Sequence, residues 1–148
     1  MKLQRLNPKV LSAPRGYTHV VAAEGARKLV FVSGQVSWGP DGAVVGRGDM
    51  RAQAEQVFEN LTGALRAAGA GWKDVVKMTG FMVGMSAENV AAYREVRNRY
   101  VPQAELPAST LVGLERLVDP DLVLEVEVVA ALGAGKPAKK ARKAKKKR

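Results

Sequence analysis

Across residues 54–68 apolar side chains return every three or four positions: Ala54, Val57, Phe58, Leu61, Leu65 and Ala68. That period places them on one face of an α-helix. Asp49 is the N-cap it calls for, Gly69 and Gly71 supply the stop, and Gly63 in its interior carries a modest cost. A second stripe, Val90, Tyr93, Val96 and Tyr100, predicts a helix over 87–101. Ser86 would cap it, Pro102 end it, and Glu88 and Glu95 would face solvent. Apolar runs rich in β-branched residues predict strands at 20–23, 29–32, 74–83, 109–114 and 122–132. Turn signals separate them at Glu24–Gly25–Ala26, Gly39–Pro40–Asp41–Gly42 and Asp119–Pro120–Asp121, with a brief pairing segment at 43–45.

The order β-β-α-β-α-β-β predicts an α+β fold, a mixed sheet with two helices packed on one face. Two helices cannot cover both faces. Val123, Val129 and Ala131, with Val75 or Val76, are too apolar for open water, which predicts self-association through the second face. That face also carries an anomaly. In the last strand, LVLEVEVVAAL, side chains alternate, so Glu125 and Glu127 point the same way among valines.

Composition changes the picture at one end only. The chain has 148 residues, 47% hydrophobic, enough for one compact core. Its net charge is +10, but residues 136–148 hold nine Lys and Arg and no acid, leaving about +1 on residues 1–135. The expected organisation is a single domain over 1–132 and, over 133–148, a flexible Gly/Ala linker with a basic disordered tail. Two readings of the tail stand open: a solvated, solubilising segment, or a non-specific, salt-sensitive attachment to nucleic acid. It lacks the interleaved aromatics that stack on bases.

Without cysteine there is no disulfide or thiolate chemistry. With His19 the one histidine, no His-rich metal site is expected and no Ser–His–Asp setting is evident. The N-terminal segment lacks a signal-like apolar run and no stretch reaches membrane-spanning length, so a cytoplasmic protein without membrane contact is expected.

Three places hold candidate chemistry. Glu125 and Glu127 read either as partners in a salt bridge across a subunit interface or as a general acid/base or water-positioning group beside a pocket. Val32–Ser33–Gly34–Gln35 ends an apolar strand with a glycine that permits close approach and polar groups beside it. It reads equally as a polar strand end. His19 is either a proton shuttle or a hydrogen-bonded structural group.

The pieces "RGYTHVV", "LVFVSGQV", "AQAEQVFENLTGALRAAGAGWKDVVKMTGFMV", "AYREVRNRY", "LPASTLVGLERL" and "LVLEVEVVA" occur in that order over about residues 14–132. Together they resemble the YjgF/Rid family, the reactive intermediate deaminases. The resemblance implies a chorismate-mutase-like fold, a homotrimer with three intersubunit clefts, and hydrolysis of enamines and imines without a cofactor. It also implies a pocket lined by Tyr17 and Ser33, with Glu125 holding the attacking water and Glu127 supporting the interface. One departure stands out. Family members active on 2-imino acids have an arginine after the Pro–Ala of the penultimate strand, where it grips the substrate carboxylate. This chain has Ser109 after Pro107–Ala108. A charged hydrogen bond is worth roughly 1.5–3 kcal/mol, so its loss weakens substrate grip by about ten- to hundredfold. Arg94, where the family often has asparagine, either returns a cation to the cleft or lies exposed beside Glu88 and Glu95. The expected activity is therefore an imine/enamine hydrolase with altered specificity. The alternative is a catalytically silent small-ligand-binding homologue, tethered to nucleic acid by its tail.

Overall fold

The computed structural model describes residues 1–134; the basic segment 136–148, with its nucleic-acid reading, lies outside the described residues. The elements run β1 (Lys2–Leu6), β2 (Val20–Glu24), β3 (Lys28–Gln35), α1 (Met50–Ala67), β4 (Val75–Val83), α2 (Ala87–Tyr100), β5 (Ala108–Leu114) and β6 (Leu124–Leu132). The architecture is the expected α+β one, with two helices over a mixed sheet. The main sheet has the order β3-β6-β4-β5, parallel between β4 and β5 and antiparallel elsewhere. β1, which the sequence pattern did not indicate, pairs antiparallel with β2 in a separate ribbon, and β2 lies against β4. Trp38 and Val44 form an isolated bridge at the short pairing segment.

The helices form where the stripes put them. Asp49 caps α1 by accepting from the backbone N–H groups of Arg51 and Ala52, and Ser86 caps α2 through Asn89. The α1 stripe of Ala54, Val57, Phe58, Leu61 and Leu65 is buried against Leu124, Val126, Val128 and Ala130 of β6. Phe58 meets Trp72, Tyr93 and Tyr100 at ring-centroid distances of 5.3, 6.0 and 5.3 Å, which locks α2 onto α1. Gln53 is a polar member of this core, 0% exposed. Its Nε2 donates to the carbonyls of Gly46 (3.0 Å) and Asp121 (2.7 Å), and its Oε1 accepts from the Val123 N–H (2.8 Å). Every polar atom is thereby used, the condition for burying an amide without loss. β6 accordingly begins at Leu124, two residues later than the apolar run suggests.

The second face of the sheet corrects part of the expectation. Val75 is buried in the helix-side core and Ala131 is buried as well. The apolar exposure sits instead on the outer strands: Phe31 is 75% exposed and Leu29 54%, with Val112 also exposed. β6 and β4 place Glu125 and Glu127 opposite Phe81 and Thr79 on this same face. No helix in the described residues is long and apolar enough to cross a membrane.

Candidate functional site

The segment before β2 is pinned to the start of β5. The Thr18 N–H donates to the Pro107 carbonyl (3.0 Å) and its hydroxyl to the Leu106 carbonyl (2.7 Å). Thr18 also forms a parallel bridge with Ala108. This attachment carries Tyr17 to the edge of β5 beside Ser109, which pairs with the core residue Met78 and so points to the helix side. The result is a cavity of about 140 Å³ lined by Arg15, Gly16, Tyr17, Tyr93, Arg94, Arg97, Ser109 and Leu111. A shallower depression shares its Arg15, Tyr17 and Arg94 walls.

Three of the expected site residues, Tyr17, Ser109 and Arg94, therefore meet. Arg94 is exposed and forms one wall of the cavity. His19 lies outside it. Its ring stacks edge-on against Tyr17 at 5.1 Å, Nε2 sits 2.8 Å from the Ser12 carbonyl, and its backbone N–H donates to Asn7. These contacts give it a supporting position behind Tyr17.

Ser33 and Glu125 lie elsewhere on the chain. Between Val32 and Gln35 the β3–β6 register shifts, so Ser33 and Gly34 form a bulge. The Glu125 side chain lies over the space that a Cβ on Gly34 would occupy. Glu125 is half-buried and Glu127 exposed. Among the described residues neither carboxylate has a salt bridge or a side-chain hydrogen bond. Within one chain, then, the cavity group and the Glu125 group occupy opposite sides of the sheet.

The Endoribonuclease L-PSP family model matches residues 8–132. The chain belongs to the YjgF/Rid family. A RutC family protein of Synechocystis is 36% identical over 122 residues, covering 81% of this chain and 89% of that protein. Among solved structures, the Rid-family protein YyfB of Yersinia pestis, described as of unknown function, matches with TM-score 0.82 at 33% identity. It covers 89% of this chain and 100% of its own. E. coli TdcF with bound serine matches with TM-score 0.62 at 28% identity, over 82% and 91% of the two chains.

One Rid-fold cavity residue escapes the sequence reading. Arg97 on α2 is only 6% exposed. Its Nε and Nη2 donate to Asn98 Oδ1 at 3.2 and 2.8 Å, and it has no carboxylate partner among the described residues. Burial pulls its pKa below the usual arginine value, and Arg94 adds to that while Tyr93 opposes it; a guanidinium starts so high that it stays charged near neutral pH. Burial likewise pushes the Tyr93 phenol up to about 12. The helix period is the signal that places it inward, since position 97 falls four after Tyr93 and three before Tyr100. Among the described residues no three His, Asp or Glu are grouped to hold a metal.

Proposed function

We propose that the chain is an imine or enamine hydrolase whose active clefts lie between copies of a homotrimer. Each cleft would join the Tyr17–Arg94–Ser109 cavity of one copy to the Ser33–Glu125 surface of another. The observation that carries this reading is the separation of the two groups on opposite sides of one sheet, in a chain of the YjgF/Rid family. The exposed Leu29 and Phe31 support it, because an apolar face of this kind is one that association covers. Glu125 carries the chemistry. Its carboxylate accepts a proton from water as the water oxygen bonds to the imine carbon and passes that proton to nitrogen. It then takes the hydroxyl proton of the resulting carbinolamine and delivers it to the same nitrogen as the C=O bond forms and the C–N bond breaks. Carbonyl product and ammonia leave, with no redox change and no cofactor required.

A second reading, a binding protein without turnover, draws support from Ser109 in place of the family arginine and from the serine bound to E. coli TdcF. The deciding experiment is ammonia release from imines generated in place by an amino-acid oxidase, read alongside mass by light scattering. The hydrolase reading expects turnover above a no-protein control, lost in Glu125→Gln with the trimer intact. Loss of the trimer in that variant, or no turnover from any imine, turns the conclusion to the binding role.

A further inference from the structure

A buried arginine in a folded protein ordinarily faces an acid, because removing an unpaired cation from water is costly. Arg97 faces none. The acids of its own helix are otherwise placed: Glu95 is held by Arg51 at 2.6 Å and by Arg99 at 3.0 Å, and Glu88 is exposed. A guanidinium has five N–H donors, and among the described residues only two of Arg97's are engaged, both by Asn98. The backbone makes room for the group. Gly16 has φ +83°, and a Cβ there would stand 2.9 Å from Nη2. The cavity walls include Arg15 and Arg94 and no carboxylate.

We propose that Arg97 is the anion receptor of this cavity and that it grips a substrate carboxylate from α2, in place of the arginine that Ser109 replaces. The proposal rests on the cavity being the substrate pocket. Two unused N–H groups of a guanidinium match the two oxygens of a carboxylate, and Arg15 and Arg94 at the rim add a field that draws anions in. The volume, about 140 Å³, is close to that of a cavity that admits a six-carbon ring. The expected ligand class is therefore a small monocarboxylate, its apolar end against Tyr93 and Leu111.

Calorimetric titration of the full chain with pyruvate, and with pyruvamide as its neutral counterpart, tests this directly. Wild type should bind pyruvate well above pyruvamide. Arg97→Gln should weaken pyruvate by about ten- to hundredfold and erase the preference over the amide. Arg97→Lys, which keeps the charge without the two-pronged fork, should recover part of it and shows whether a folded variant still discriminates. Arg94→Gln should lose less than Arg97→Gln. Equal affinity for acid and amide in wild type, an undiminished preference in Arg97→Gln, or a larger loss in Arg94→Gln would each overturn the assignment. Pyruvate binding that depends on Arg97, in a chain that releases no ammonia, upholds the receptor and removes the hydrolase; turnover on 2-imino acids with KM unchanged by Arg97→Gln does the reverse.

Discussion

Glu125 rests against Gly34: a Cβ on the glycine would overlap Oε1 and stand 2.7 Å from Cδ and 2.9 Å from Cγ. The β3 bulge and the β6 carboxylate therefore form one unit, with the glycine's missing side chain defining where the acid lies. This explains why a glycine ends an otherwise apolar strand. It also ties Ser33 to the proposed chemistry indirectly, through the bulge that brings the two strands into this arrangement.

Gly34→Ala should displace the Glu125 carboxylate without unfolding the chain, because the obstructed atoms belong to a side chain that can rotate. Chemical denaturation should register a change within about 1 kcal/mol, typical of a tolerated surface substitution. Imine turnover should fall on the order of a hundredfold, the lower end of what a general base contributes. Full activity in a folded Gly34→Ala protein would remove Glu125 from the mechanism.

Gly63→Ala offers a test independent of the site. A Cβ there meets nothing within 4 Å, and the residue is exposed inside α1. Stability should rise by about 0.5–1 kcal/mol, read as a higher urea midpoint at unchanged slope.

The Arg51–Glu95–Arg99 cluster sets an acid dependence. Hydrogen bonds from Arg51 and Arg99 hold the Glu95 carboxyl at about 2, down from 4.5. A depressed carboxylate contributes stability that is complete above the unfolded value and is lost as pH falls toward the folded one. The melting-temperature gap between wild type and Glu95→Gln should accordingly be widest above about pH 4.5 and close as pH approaches 2. A gap that stays constant across that window would show the pairs to be without consequence.

Tyr93 sets the opposite limit. Burial raises its phenol from 10.0 to about 12, so the unfolded chain releases this proton first and stability declines as pH rises between those values. Ultraviolet difference titration should show Tyr93 ionising last, after Tyr100, which burial also raises, and Tyr93→Phe should abolish that last step. Among the described residues its hydroxyl donates only to Met78 Sδ at 3.4 Å, so the variant should lose little at neutral pH.

Both helices and the last three strands are legible because an apolar period runs along one face of each and the helix caps, Asp49 and Ser86, are conventional. β1 is not, since Leu3 and Leu6 do not alternate and Lys2, Gln4 and Arg5 break any apolar run. The burial of Val75 on the helix side is not legible from a count of faces because the β4–β6 register shifts between Val75 and Lys77, which strict alternation does not anticipate. At the site, the meeting of Tyr17 with Ser109 depends on the long-range attachment of Thr18 to Pro107, which no local pattern encodes. Arg97 is not legible as a cavity residue, because a charge in an apolar stripe is ordinarily assigned to its solvent edge.

Gln53 has a role beyond filling its place in the core. By clasping Asp121 and Val123 it determines the phase in which β6 enters the sheet. Strand phase is binary: a slip of one residue would turn Leu124 and Val126 outward and drive Glu125 and Glu127 beneath the helices. One amide on α1 thus works as a parity device, deciding from a distance which side of the sheet receives the acids and which receives the oil.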